Sequence, residues 1–246
     1  MSSRDIHIDP TAKIECDELV IGDGTTIRAH AEIYGTRVVL GPESFIDEYA
    51  VIGGGSAGEL TTGAWFHLGM FAQINTARPV TIGEEVGVGI GSRVFTHGAY
   101  LSELDGFPVS FESVTIGDRV WIPNAIIMPG VTIENDVVVA AGSVVSRDLP
   151  MYCLAGGTPA KVLKEKAYPQ PVTDSNRFLI LERIITEAGV LAYVSGPHII
   201  CGTTVFDTEN KTVEGVVTAS SEKLRNQLRR SGIRFRVWAE SRYEPW

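Results

Sequence analysis

Aliphatic side chains recur every six positions through the first two-thirds of the chain: Ile21, Ile27, Ile33; Leu40, Ile46, Ile52; Leu68, Ile74; Ile82, Val88, Val94; Ile116, Ile122, Met128; and Ile133, Val139, Val145. Glycine directly follows several of them, as at Gly22, Gly41, Gly53, Gly69, Gly83 and Gly117. An amphipathic helix needs spacings of three and four, and a half-buried strand needs two. Six is the period of one side of a parallel β-helix, in which each hexapeptide supplies a short strand and a corner. Three hexapeptides close a triangular coil, and the repeating aliphatic points inward to stack on its counterparts in neighbouring coils. Glycine, Asp and Asn are expected at the corners, where the backbone needs conformations that bulky or β-branched residues resist. The count slips at 33 to 40, 74 to 82 and 128 to 133, which predicts residues gained or lost at corners. Two longer interruptions, 53–65 and 98–113, predict loops leaving the prism, the usual place for chemistry on a rigid solenoid.

The pattern changes after Tyr168-Pro-Gln-Pro-Val172, where two prolines hold the chain extended and stop regular pairing. The boundary placed there gives a repeat domain over 1–168 and a second unit over 169–246. Apolar spacings of three and four predict a helix over 174–188, closed by Gly189. Strands are predicted over 190–194, 198–206 and 212–218, with a turn at Asn210-Lys211. A second helix is predicted from Ser220 to Arg230, stopped by Gly232, and a final strand over Ile233 to Ala239. The fold class is therefore mainly β, a parallel β-helix of hexapeptide repeats followed by a small α+β module. That module is expected to cover an edge of the prism.

Charge narrows the partners. The 246 residues carry 30 Asp and Glu against 21 Lys and Arg, a net charge of −9, which disfavours nucleic acid as the main partner. No stretch reaches the roughly 18 apolar residues of a membrane helix, and the opening Met1-Ser-Ser-Arg-Asp-Ile-His7 lacks the apolar core of a leader, so no membrane span and a cytoplasmic location are expected. Cys16, Cys153 and Cys201 are far apart, odd in number and form no CxxC, which argues against a disulfide framework or a cysteine zinc site. Gly53-Gly-Gly-Ser-Ala-Gly58 fits a dinucleotide fingerprint, but no amphipathic helix follows it.

The stretch from Val114-Thr-Ile-Gly-Asp-Arg-Val-Trp-Ile-Pro-Asn-Ala-Ile-Ile-Met-Pro-Gly-Val-Thr-Ile133, through Ala140-Ala-Gly-Ser-Val-Val145, to Gly156-Gly-Thr-Pro-Ala-Lys-Val162 resembles the closing coils of the hexapeptide-repeat acyltransferases. It is similar to bacterial acetyl-coenzyme A dependent sugar O-acetyltransferases over roughly residues 8–166. The resemblance implies a left-handed β-helix, a homotrimer and a coenzyme A site between neighbouring subunits, with no metal required. It implies acetyl transfer from acetyl-CoA to a hydroxyl or amine of a sugar, nucleotide sugar or similar small acceptor.

Acyl transfer from a thioester needs a base for the acceptor's proton, a grip on the thioester and donors for the developing oxyanion. Of the five histidines, His97 follows Phe95-Thr96 at the end of a coil strand and opens the 98–113 loop, a placement similar to the family's catalytic histidine. It is the candidate general base. His67, Asn75, Glu103 and Asp105 are candidates for holding the acceptor, Asn75 and the two acids also for orienting His97. By resemblance, backbone groups at Ala141 and Gly142 would hold the pantetheine arm, and Trp121 and Asn124 would lie near it. Arg147, Lys161 and Lys164 are the candidate cations for the coenzyme phosphates. The alternatives are a γ-carbonic-anhydrase-like zinc hydro-lyase, for which only His67 and His97 are plausible ligands, and a scaffold without catalysis.

Overall fold

The structure is a computed structural model that describes residues 6–54 and 58–237, the last two by their backbone alone. The chain divides into two compact units, Met1–Gln170 and Pro171–Trp246.

The first unit is a left-handed β-solenoid of about eight turns. Its strands are mostly two or three residues long and pair in parallel with the coils above and below. On the first face Thr26–Ile27, Phe45–Ile46, His67–Leu68, Gly87–Val88, Trp121–Ile122 and Val138–Val139 follow one another in register. Ile33, Ile52, Ile74, Val94, Ile127 and Val145 form the inward column of the second face, and Leu40, Ile82, Ile116 and Ile133 that of the third. These aliphatics are all buried. Each contributes about 1.5–3 kcal/mol by leaving water, so the stacked column holds the coil, and the propensity of a two-residue strand does not. Cys153 joins this column, and burial pushes its thiol up, which leaves it a small hydrophobe and a poor nucleophile.

Three expectations are corrected. Met128 is not the inward residue of its coil: Ile127 is fully buried and Met128 is exposed. Asn124 donates from Nδ2 to the Ile90 carbonyl at 2.7 Å, and Ala125 N–H donates to Ser92 Oγ at 3.1 Å. That knits the Pro123-Asn124 corner tightly enough for the inward position to arrive one residue early. The 53–65 interruption is not a loop throughout, because Glu59–Thr62 rejoins the third face with Leu60 buried; residues 55–57 lie outside the described residues. Nor are the corners reserved for small residues. Glu43, Trp65, Glu85, Arg119, Asp136 and Tyr152 all take left-handed conformations, with φ between 53° and 65°. Each would cost about 1–2 kcal/mol in isolation. The cost is offset because the N–H of each of these six donates to a carbonyl of the preceding coil, as Glu85 does to Ala64 at 2.9 Å and Arg119 to Glu84 at 2.8 Å.

At one such corner the Arg119 guanidinium grips the buried carboxylate of Asp136 with two bonds, Nε to Oδ1 at 2.6 Å and Nη2 to Oδ2 at 2.7 Å. Arg119→Gln is expected to cost about 2–3 kcal/mol, less than for a fully buried pair because the guanidinium is half exposed. Urea unfolding of the variant measures it, and a loss below 0.5 kcal/mol by about the resolution of that method would refute the assignment. On another edge His30, Tyr49 and Phe71 stack coil upon coil, with centroids 5.0 and 5.3 Å apart. After the last full coil the chain doubles back, Ala160–Lys164 pairing antiparallel with Leu154–Gly157.

The second unit is α+β. Helix α1 spans Asp174–Ala188, with the Thr173 side chain accepting from Asn176 N–H at its start and Gly189 in the left-handed region at its end. Four antiparallel strands follow: Tyr193–Ser195, His198–Cys201, Thr204–Asp207 and Thr212–Glu214. The strand expected over 198–206 is thus two, split by a turn at Gly202, whose φ is 62°. Helix α2, Ala219–Arg230, then crosses to Arg236–Val237, which pairs in parallel with Thr212–Glu214. Residues 238 and 239 of the expected last strand lie outside the described residues. Leu181, Ile184, Ile185 and Ala188 of α1 and Leu224 and Leu228 of α2 pack with Ile199, Phe206 and Val213 into a separate core.

Candidate functional site

The long interruption at 98–113 is a hairpin. His97–Gly98 pairs antiparallel with Ser110–Phe111, and Glu112 N–H donates to the Thr96 carbonyl at 2.9 Å, closing the root onto the prism. The tip carries a short 3-10 turn, Glu103–Asp105, ended by Gly106 in the left-handed region. Tyr100 and Leu104 at the tip are almost fully exposed.

His97 is fixed at that root by a buried polar cluster. Asn75 lies one coil earlier, 6% exposed, and its Oδ1 meets His97 Nδ1 at 2.9 Å. The same Oδ1 accepts from the Thr96 hydroxyl at 2.7 Å and from Ala77 N–H at 3.2 Å. A backbone N–H can only donate, so the Asn75 atom at this junction is the carbonyl oxygen and not the amide nitrogen. His97 must therefore donate from Nδ1, which leaves the lone pair on Nε2. That is the tautomer a general base requires. The imidazole face is covered as well, since Phe111 stacks on it at 5.4 Å between centroids and 16° between planes. Gly54 supports the arrangement from the coil below, with a φ of 149°. A Cβ there would lie 2.0 Å from Asn75 Nδ2, so only glycine leaves room for the amide.

The other expected residues divide into groups. Glu103 and Asp105 sit on the exposed 3-10 turn, and among the described residues neither makes a hydrogen bond or ion pair with His97. His67 lies on the outer side of the first face, its Nε2 4.0 Å from Asp47 Oδ2 and its ring edge-on to Phe45 at 5.4 Å. His97 follows the second face, so one chain does not bring the two histidines together. Trp121 stands in the same row as His67, directly above Gly87, where a Cβ would strike the indole at 2.5 Å. Asn124 and the exposed pair Ala141 and Gly142 follow along the edge between the first and second faces. Gly142 N–H is already spent on the Asn124 carbonyl at 2.7 Å, whereas among the described residues Ala141 makes none of the ladder's hydrogen bonds. Arg147 lies exposed in a bend just past the last second-face strand, Ser143–Val145, and Lys161 and Lys164 are exposed on the doubled-back strand. Asn124, Ala141 and Gly142 thus occupy one edge of the second face, and His97 the other, on the side where Arg147 also lies.

Thr96, Phe111 and Gly54 were not anticipated. Thr96 had a signal, a hydroxyl beside the candidate base at a strand end. The other two show only when the hairpin closes and the coils stack.

The repeat count, the coil closure and the ladder define the first unit as a parallel β-helix of hexapeptide repeats. Residues 113–147 match the family described as bacterial transferase hexapeptide (six repeats). The chain is 34% identical over 116 residues to galactoside O-acetyltransferase of Escherichia coli, covering 42% of this chain and 55% of that one. It is 38% identical over 85 residues to chloramphenicol acetyltransferase of Klebsiella aerogenes, covering 34% and 38%. The chain therefore spans about half or less of the length of these curated relatives. Among solved structures, the polySia-specific acetyltransferase NeuO superposes over 69% of this chain and 78% of its own, with a TM-score of 0.52 at 18% identity. The repeat unit is thus similar, over its closing coils, to the hexapeptide-repeat transferases.

Proposed function

We propose that the protein transfers an acetyl group from acetyl-CoA to a hydroxyl or amine of a sugar-class acceptor, with His97 as general base and no acyl-enzyme intermediate. The observation that carries this reading is the Asn75 Oδ1 junction, which presents a lone pair at His97 Nε2 beside a loop able to hold an acceptor. Nε2 takes the acceptor's proton as its oxygen or nitrogen attacks the thioester carbonyl. The C–S bond breaks when the tetrahedral intermediate collapses, and the proton held on Nε2 passes to the leaving thiolate.

The donor side is proposed to lie along Trp121, Asn124, Ala141 and Gly142, with Arg147, Lys161 and Lys164 toward the phosphates. Because Asn124, Ala141 and Gly142 stand at the opposite edge of the second face from His97, one chain does not complete the site. A homotrimer of prisms, edge against edge, would place the donor side of one subunit against the base of the next. Residence in the cytoplasm belongs to the same proposal. The zinc hydro-lyase alternative is not favoured, since the relatives above are acetyltransferases.

Thiol release from acetyl-CoA over a panel of free saccharides, amino sugars and nucleotide sugars tests the reading. Turnover with at least one class is expected. A protein that binds no CoA would sink it. Gly54→Ala is expected to lower kcat about tenfold by displacing the Asn75 amide, with KM for acetyl-CoA unchanged. Steady-state kinetics beside far-UV circular dichroism checks it, and full activity in a folded variant would show that Asn75 needs no such clearance.

A further inference from the structure

The hairpin root carries a cation that the reading above leaves unused. Arg78 sits on the segment joining the second face to the third, its backbone N–H donating to Thr96 Oγ1 at 3.1 Å. Its guanidinium lies over the Phe111 ring, 5.3 Å from the centroid, and Phe111 in turn stacks on His97. These two ring contacts hold the guanidinium carbon within about 11 Å of the imidazole. Arg78 is exposed, and among the described residues no carboxylate lies within ion-pair reach of it. The carboxylate beside Phe111 in sequence, Glu112, accepts instead from Ser110 Oγ at 2.9 Å.

In a chain of net charge −9, an arginine held over an aromatic ring, with no ion pair to its guanidinium among the described residues, suits an anion. A guanidinium on an aromatic face keeps its fork of donors free in the ring plane, the geometry for bidentate contact with a carboxylate or phosphate. We propose that Arg78 binds an anionic group of the acceptor, so that the substrates are acidic or phosphorylated saccharides and not neutral ones. This rests on the acetyl-transfer reading. The anion would sit on one side of Phe111 and the reacting hydroxyl or amine near His97 Nε2, a span suited to a monosaccharide with one charged substituent.

The test is steady-state transfer to a neutral hexose, its uronic acid, its 1-phosphate and a nucleoside diphosphate sugar, with wild type beside Arg78→Gln and Arg78→Lys. Wild type is expected to show kcat/KM at least about tenfold higher for an anionic acceptor than for the neutral hexose. Arg78→Gln should bring that acceptor down to the neutral level without moving CoA affinity, and Arg78→Lys should restore part of the preference. Preference for the uronic acid assigns a carboxylate, and preference for the phosphorylated members assigns a phosphate. Equal use of neutral and anionic acceptors, or a variant that loses both alike, overturns the proposal. If no acceptor is turned over, calorimetric titration of the same four saccharides, with and without CoA, decides the matter separately. Failure to bind CoA then removes the acetyl-transfer reading, while anion-selective binding lost in Arg78→Gln keeps the site and its absence removes that too.

Discussion

Replacing His97 by alanine is expected to lower kcat for acetyl transfer by about 10²–10⁴-fold, the range general-base catalysis supplies. Affinity for CoA should not change, because Asn124, Ala141 and Gly142 of the proposed donor side lie along the opposite edge of the second face from His97. Thiol-release kinetics gives the first quantity and calorimetric titration of CoA the second. The fold should tolerate the change: His97 is half-buried at a hairpin root and takes no part in the aliphatic column. A variant that keeps more than about a tenth of wild-type turnover would exclude His97 as the base, since a tenfold loss amounts to only 1.4 kcal/mol of barrier.

Asn75→Ala is the second large effect, and its size follows from what replaces the lost carbonyl. Three donors converge on Oδ1, from His97, Thr96 and Ala77. In a serine protease triad, an orienting group that holds the wrong tautomer costs about 10⁴ in kcat. Here water can enter the vacated space and accept from Nδ1, so the loss expected is smaller, about 10–10²-fold in kcat, with KM for acetyl-CoA unchanged. Nitrogen-15 NMR of the imidazole supplies a readout independent of turnover. The wild-type ring should be protonated on Nδ1 when neutral, and the variant should show a mixture of tautomers. The part-buried Ala77 N–H also loses its partner, while the buried Thr96 hydroxyl keeps the Asn75 backbone carbonyl at 3.2 Å, so the cost in stability should be about 1 kcal/mol. An unaltered tautomer with unaltered kcat would mean that Asn75 serves the coil alone.

Much of the first unit was legible because a six-residue period has few physical solutions. Once aliphatics repeat at that interval, the inward columns follow, and nearly all the residues named from the pattern are the ones buried. The failures share a cause. Met128 was misplaced because corner length depends on bonds between coils, here from Asn124 to Ile90 and from Ala125 to Ser92, which join positions more than thirty residues apart. The corners were expected to need small residues because local sterics say so, but the ladder offsets the left-handed cost at Trp65 and Tyr152. In the second unit both helices showed in spacings and caps, while the Gly202 turn was hidden inside an apolar run.

The site was less legible than the fold. His97 stood out as a histidine opening a long insertion. Asn75 was one plausible partner among several, and nothing in linear order says that its carbonyl, Thr96 and Ala77 meet at one point. Glu103 and Asp105 drew attention because acids on a loop near a base are chemically suggestive, yet they sit out on the tip. Phe111 comes from the far end of the interruption and Arg78 from the coil before it, and only the closing of the hairpin puts the ring against the imidazole and under the guanidinium.

Among the described residues the hairpin is tied at its base, by the pairing of His97–Gly98 with Ser110–Phe111, the bond from Glu112 to Thr96 and the contacts of His97 with Asn75 and of Phe111 with Arg78. Residues 99–109 between those ties carry no part of the inter-coil ladder. Mutations there leave the stacked coils and the geometry of His97 intact, so under the proposed function the recognition of the acceptor and the chemistry performed on it can diverge independently. On that reading a new substrate preference can be acquired by exchanging the tip, without rebuilding the cluster of Asn75, Thr96 and His97.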